Sequence, residues 1–103
     1  MTKRGKVDFA DIATRARVAL PSIVHRWLPD GKSWGFEWVA RNPTRADKRL
    51  GSFKINLASG RWADFATGAA GGDVISLAAY LFGLSQTEAA RKIAEMLSVR
   101  GGR

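Results

Sequence analysis

The feature that most limits how this chain can fold is its lack of cysteine, together with a single histidine, His25. No disulfide framework and no thiolate metal site can form, because both require cysteine sulfur. A chain of 103 residues buries only about two-thirds of its unfolded surface. We therefore expect one small domain over residues 8–98 that is held by apolar packing and uses no metal or other cofactor. Residues 1–7 are expected to form a flexible basic N-terminus, and 99–103 a tail or linker.

The chain is strongly basic, with 17 Lys and Arg against 9 Asp and Glu and a formal net charge of +8. This balance favours a polyanionic partner, either nucleic acid or an acidic membrane surface. The longest apolar run, 74–84, is interrupted by polar residues and glycine and is much shorter than the roughly 20 residues that span a bilayer. The N-terminal segment has a face of mixed charge, which disfavours surface binding to a membrane. We expect a cytoplasmic protein with no membrane partner.

Helical periodicity marks the first part of the domain. Apolar residues recur at helical spacing from Phe9 to Leu20, which predicts an N-terminal helix that ends at Pro21. A second short helical piece is expected over 22–28. The tripeptide Pro29-Asp30-Gly31 then favours a turn, because proline fixes φ and glycine permits a positive φ.

The period changes to two after this turn. Aromatic residues occupy alternate positions in 34–40, which is typical of a half-buried strand. Residues 52–57 and 61–65 alternate in the same way, and Ala58-Ser59-Gly60 between them favours a hairpin turn. The intervening segment 41–51 is rich in charge and turn residues and predicts a long loop. The centre of the domain is thus predicted to be an antiparallel sheet of three strands.

Two further helices are expected after the sheet. The glycine-rich stretch 67–72 is predicted to be flexible, and Asp73 is placed to cap a helix that runs to about Phe82. Ser85 and Glu88 have the spacing of a capping box at the start of the last helix. The predicted fold class is therefore α+β, a small three-stranded antiparallel sheet with an N-terminal helix and two C-terminal helices.

Residues 38–97 contain four motifs that together resemble a known family. The motifs are Asn42-Pro43-Thr44, Gly51-Ser52-Phe53-Lys54-Ile55, Arg61-Trp62-Ala63-Asp64-Phe65 and Gly68-Ala69-Ala70-Gly71-Gly72-Asp73-Val74-Ile75. In this order they resemble the N-terminal zinc-binding domain of bacterial and phage DNA primases and primase-helicases. The resemblance implies a zinc-ribbon-like sheet in a domain that contacts template DNA, while a separate polymerase module performs the chemistry.

The chain departs from this family at the metal site. In the family, the strand before the loop and the returning strand carry Cys and His ligands for one zinc ion. The corresponding positions here fall near 40–44 and 64–67, and none is Cys or His. The resemblance therefore implies a zinc-free form, in which apolar packing replaces the metal. The aromatic candidates for this packing are Trp34, Trp38, Phe53, Trp62 and Phe65.

Basic residues on the predicted loop and its flanking strands are the predicted nucleic-acid contacts. They are Arg41, Arg45, Lys48, Arg49, Lys54 and Arg61. Several cations on one face can follow a phosphate backbone by displacing counterions, and a ring beside them can stack on a base. Trp62 is the predicted stacking ring if it faces outward. The alternatives are a loop that is merely solvated and a Trp62 that is buried in the core.

The sequence thus predicts a DNA-binding module of a primase or primase-helicase replication system of a phage or mobile element, with single-stranded template as its ligand. The chain alone is not expected to be an enzyme, because His25 lacks a catalytic partner and the acidic residues are scattered over separate elements. Residues 68–73 lack the Lys-Ser/Thr ending of a nucleotide-binding loop. The alternative function is a protein-interaction adaptor that docks a replicative helicase or polymerase.

Overall fold

The computed structural model describes residues 7–45 and 50–101. These residues form four helices and one five-stranded antiparallel sheet, which confirms the α+β class. The helices are α1 (Phe9–Val18), α2 (Leu20–Trp27), α3 (Val74–Phe82) and α4 (Gln86–Gly101). The strands are β1 (Lys32–Trp34), β2 (Glu37–Ala40), β3 (Phe53–Asn56), β4 (Trp62–Asp64) and β5 (Ala69–Gly71), and each strand pairs with the next along the chain.

The sheet has two strands more than the predicted three. The predicted strand 34–40 is divided by a tight turn at Gly35 and Phe36, where Gly35 adopts a φ of 63°. Because aromatic residues keep the same spacing through this turn, the alternation alone did not reveal the reversal. The segment 67–72, which was predicted to be flexible, contains β5, and Gly71 lies opposite Trp62 of β4. The sheet is therefore a meander that is wider than the sequence pattern indicated.

The helices also differ from the prediction in number and extent. The N-terminal region forms two helices that meet at Ala19. The second, α2, corresponds to the helical piece predicted over 22–28, but it begins at Leu20, so Pro21 lies in its first turn rather than at the end of α1. Proline is tolerated there because the first backbone N–H groups of a helix have no intrahelical partner. At the other end, α4 continues to Gly101 and so extends into the segment 99–103 that was predicted to be a tail.

The predicted helix caps are confirmed. The Asp73 carboxylate accepts a hydrogen bond of 2.8 Å from the backbone N–H of Ser76, and Gly83 ends α3 in the left-handed conformation. At the start of α4, the Glu88 N–H donates to Ser85 Oγ at 3.1 Å, and the Ser85 N–H donates to Glu88 Oε1 at 3.2 Å. These contacts satisfy backbone groups that the helix leaves unpaired.

The core lies between the helices and one face of the sheet, here called the inner face. Phe53 and Ile55 of β3 are fully buried there together with helical residues that include Leu20, Leu77 and Ile93. The indole N–H of Trp38 donates to the Leu28 carbonyl at 3.0 Å. Trp38, Phe53 and Trp62 therefore pack as predicted, whereas Trp34 and Phe65 do not, because both project from the surface with 72% and 71% of their area exposed.

Within the described part of the chain, no helix has the length and apolar character needed to cross a membrane. Among the same residues, no group of three or more His, Cys, Asp and Glu side chains is arranged to hold a metal ion.

Candidate nucleic-acid interface

The second face of the sheet, here called the outer face, carries polar, basic and aromatic side chains. Strand register places Lys32, Val39, Lys54, Ala63 and Ala70 in one row across all five strands. Apart from the buried Val39, these residues are half-buried or exposed. They alternate with the buried residues of the inner face, as expected for a sheet that is covered on one side.

Three of the predicted contacts, Lys54, Arg61 and the largely buried Trp62, line one groove on the outer face. Lys54 and Arg61 line a shallow groove of about 310 Å³, together with Glu37, Asn56 and Phe65. Lys54 Nζ lies 5.8 Å from the centroid of the Phe65 ring, within the range of a cation–π contact. The groove thus combines two cations, an exposed aromatic ring and polar side chains that can form hydrogen bonds.

Arg45 lies on the loop after β2, as predicted, but its guanidinium is engaged within the protein. Its Nε donates to Asp64 Oδ2 at 3.0 Å, and its Nη2 donates to Asp64 Oδ1 at 3.2 Å and to Ser52 Oγ at 3.0 Å. The Asp64 side chain is completely buried, while 30% of the Arg45 side chain is accessible. Arg45 therefore neutralises an internal carboxylate, a structural role that the prediction did not include, and its phosphate contact stays a prediction.

Asp64 is the centre of a polar cluster that joins the start of the loop after β2 to β4. Asn42 Nδ2 donates to Asp64 Oδ2 at 2.7 Å and also lies 2.8 Å from the Tyr80 hydroxyl of α3. The Ala66 N–H donates to Asp64 Oδ1 at 2.9 Å. The hydrogen bonds from Arg45 outweigh the effect of burial and, with those from Asn42 and Ala66, hold the pKa of the Asp64 carboxyl well below its usual range.

Trp62 is not available as an exposed stacking platform. The residue is 5% exposed, its ring packs against Tyr80 at a centroid distance of 4.8 Å, and its indole N–H donates to Ser76 Oγ at 2.9 Å. Alternation along β4 places Trp62 on the inner face because its neighbour Ala63 belongs to the outer face. The structure therefore shows the buried alternative for Trp62.

Among the described residues, Arg41 and Arg45 do not line the groove. Arg41 is exposed after the end of β2 and lines a separate cleft with Trp27 and Asp30. Lys48 and Arg49 lie outside the described residues, so their roles stay predictions. The structure therefore brings together Lys54 and Arg61 and separates them from Arg41 and Arg45.

Sequence reasoning missed the exposed aromatic residues of this surface. Phe65 was predicted to pack in the core. It lies two residues after Ala63 and four after Arg61, and alternate positions of this segment face outward, so Phe65 lies on the outer face. Trp34 and Phe36, of which 72% and 76% are exposed, lie at the β1–β2 turn. The glycine between them was the available signal, since a Gly at the centre of a two-residue turn is typical of a hairpin.

No protein-family model matches this sequence, and no curated protein is significantly similar to it.

Proposed function

We propose that this chain is a nucleic-acid-binding module that holds single-stranded DNA on the outer face of its sheet. The observation that carries the proposal is the groove in which Lys54 lies 5.8 Å from the exposed Phe65 ring, with Arg61 on the same groove. Cations supply contacts to phosphates, and an aromatic ring supplies a stacking surface for a base. A net charge of +8 increases the rate of encounter with a polyanion.

An exposed ring favours a single strand over a duplex. In a duplex the faces of the bases are stacked on one another, whereas the bases of a single strand are free to stack on a protein side chain. Glu37 and Asn56 in the groove provide acceptors and donors for base edges. The surface is thus suited to a strand whose phosphates face the cations and whose bases reach the ring.

We further propose that the module serves a primase or primase-helicase of a phage or mobile element, with the polymerase activity elsewhere. Support comes from the resemblance to the zinc-ribbon-like domain of these proteins. The two segments to which the resemblance assigns zinc ligands, 40–44 and 64–67, are joined here by a hydrogen bond from Asn42 to Asp64, and Arg45 adds a second link directly after the first segment. In the proposed zinc-free ribbon, this cluster performs the cross-linking that a metal ion performs in the family.

The proposal is tested by fluorescence anisotropy with labelled single-stranded and double-stranded oligonucleotides at two salt concentrations. The double variant Lys54→Glu, Arg61→Glu is compared with Arg17→Glu, Arg26→Glu, which changes two exposed arginines of α1 and α2 and lowers the net charge equally. We expect tight, salt-sensitive binding of the single strand that is lost only in the groove variant. Equal losses in both variants would show a non-specific charge effect, and no binding at low salt would refute the proposal.

One observation favours the alternative function of a protein-interaction adaptor. A mainly apolar groove of about 250 Å³ lies between α2, α3 and α4, and its lining includes Trp27, Phe82 and Met96. Phe82 is 53% exposed and packs edge-on against the Trp27 ring. A groove of this kind can receive an apolar side chain of a replicative helicase or polymerase. The adaptor function predicts that Phe82→Ser abolishes binding to the purified helicase while the charge reversal in the other groove does not.

A further inference from the structure

The tip of the β1–β2 hairpin presents two aromatic side chains that neither the core nor the groove uses. Trp34 and Phe36 flank Gly35 and are 72% and 76% exposed. A hydrogen bond of 2.7 Å from the Leu57 N–H to the Phe36 carbonyl attaches the backbone of the tip to the segment after β3. Large apolar side chains on a fixed turn at the surface are unfavourable in water, and such exposure is typical of a binding site.

Strand register places the Trp34 position on the outer face. Trp34 lies opposite Glu37, and Glu37 lies opposite Asn56 of the next strand. Glu37 and Asn56 both line the groove that contains Arg61. The hairpin tip and the groove therefore belong to one continuous surface, on which Lys32 of β1 adds a further cation near the hairpin.

The two exposed rings are separated by a distance that suits a short strand of nucleic acid. Trp34 on β1 and Phe65 after β4 lie three strand spacings apart across the sheet and about four residues apart along it. Spacings of about 4.8 Å between strands and about 3.4 Å per residue give a separation of roughly 20 Å. At about 3.4 Å per nucleotide, a stacked single strand covers this separation with about six nucleotides.

We propose that Trp34 is a second base-stacking contact for single-stranded nucleic acid, so that one strand runs from Phe65 past Lys54 and Arg61 to the hairpin tip. This inference rests on the proposed function of the groove and adds to it a second anchor and a minimum ligand length. The charge pattern favours nucleic acid as the occupant, because Lys32, Lys54 and Arg61 accompany the rings on this face whereas Glu37 is the one acid among the groove residues that the structure describes.

The test measures the affinity of the full chain for oligothymidylates of three and twelve nucleotides. The longer strand reaches both rings, whereas the shorter one reaches only one of them. We expect the twelve-nucleotide strand to bind more tightly, and Trp34→Ala to weaken its binding roughly 5- to 150-fold, the range for one stacked base. Binding of the three-nucleotide strand is expected to remain within about twofold, the scatter tolerated for an untouched contact, since Phe65 and the groove are unchanged.

Two matched variants complete the design. Trp34→Phe keeps an aromatic face and is expected to retain most of the affinity for the long strand. Phe9→Ala removes a partly exposed aromatic side chain from α1, on the helical side of the molecule, and is expected to have no effect on either strand. Circular dichroism confirms that each variant is folded.

The outcomes separate this inference from the proposed function. If wild type binds the long strand and Trp34→Ala binds it equally well, the hairpin contact is refuted while the groove proposal stands. If Trp34→Ala instead weakens binding to a purified replicative helicase and leaves the oligonucleotide affinities unchanged, the tip binds protein and the inference is also refuted. If wild type binds neither strand, both proposals fail.

Discussion

Arg45 and Asp64 form a two-point ion pair, in which Nε and Nη2 of the guanidinium donate to the two carboxylate oxygens at 3.0 and 3.2 Å. The pair connects the loop after β2 to the end of β4. Its carboxylate is fully buried, so the charge depends on this arginine and on the neighbouring donors for the stabilisation that water would otherwise supply. The Asp64 carboxylate thus lies on the inner face of the sheet, apart from the surface proposed to bind DNA.

Loss of one partner of this pair is expected to destabilise the fold strongly. Arg45→Ala leaves the buried Asp64 carboxylate with the hydrogen bonds from Asn42 and the Ala66 N–H but without its countercharge, and we expect the free energy of unfolding at pH 7 to fall by about 3 kcal/mol. Urea denaturation followed by tryptophan fluorescence measures this change. Arg17→Ala, which removes an exposed arginine of α1, is expected to change the free energy by less than about 0.5 kcal/mol. Similar small effects in both variants would contradict the structural role of Arg45.

The same pair predicts how stability depends on pH. The folded-state pKa of Asp64 is lowered relative to an unfolded value of about 3.9, so the contribution of this group is complete above the unfolded pKa. It is lost as the pH falls from about 5 toward the folded pKa, because protons bind first to the unfolded state. We expect the free-energy difference between wild type and Asp64→Asn to be largest near pH 7 and to shrink steadily between about pH 5 and pH 2.

The comparison of wild type with Asp64→Asn needs no separate control variant. The amide introduced by Asp64→Asn does not titrate, and all other carboxyl groups are common to both proteins, so the difference isolates the Asp64 carboxyl. A difference that stays constant from about pH 7 to pH 2 would show that the carboxylate is not specifically stabilised in the folded state.

Contacts between residues close in sequence were predictable from the sequence, whereas contacts between distant residues were not. The caps at Asp73 and at Ser85 with Glu88 were predicted because both partners lie within one helical turn. The Arg45–Asp64 pair joins residues 19 positions apart, and no local pattern distinguishes such an arginine from one that binds phosphate. Charge and position alone therefore did not reveal that Arg45 pairs with Asp64.

The candidate site shows the same limit for aromatic residues. Alternation correctly indicated strands around Phe53 and Trp62, but it did not say which face would be covered by helices. Trp62 is buried and Phe65 exposed because the helices pack on the face that carries Phe53, Ile55 and Trp62. The side of the sheet on which helices pack is a tertiary property, and Phe65 could be proposed as the stacking ring only once that side was known.

Gly71 is predicted to be far less tolerant of substitution than its neighbour Gly72. A Cβ at Gly71 would collide with Ser76 Oγ and lie 2.5 Å from Trp62 Nε1, whereas one at Gly72 meets no atom within 4 Å. The indole and the serine hydroxyl are joined by a hydrogen bond of 2.9 Å, so neither moves without loss of that contact. We expect Gly71→Ala to destabilise by about 1–3 kcal/mol.

Gly72→Ala is the matched control for this substitution and is expected to have little effect or to stabilise slightly, because it restricts the unfolded chain. Both variants are measured by thermal unfolding under the same conditions. Equal melting temperatures for the two variants would show that β5 does not lie as close to Trp62 as described.

The salt dependence of the proposed DNA binding is expected to distinguish Arg45 from the groove cations Lys54 and Arg61. For single strands, each phosphate contact contributes about 0.7 to the slope of log affinity against log salt concentration. We therefore expect Lys54→Ala, Arg61→Ala to reduce the magnitude of this slope by about 1.4. Arg45→Gln removes the charge at this position and, once circular dichroism shows that the variant is folded, is expected to leave the slope unchanged, since Arg45 is engaged with the buried carboxylate. Titrations with an oligothymidylate at several salt concentrations provide the slopes. A reduced slope for Arg45→Gln and an unchanged one for the double variant would contradict this expectation and favour a DNA contact on the loop after β2.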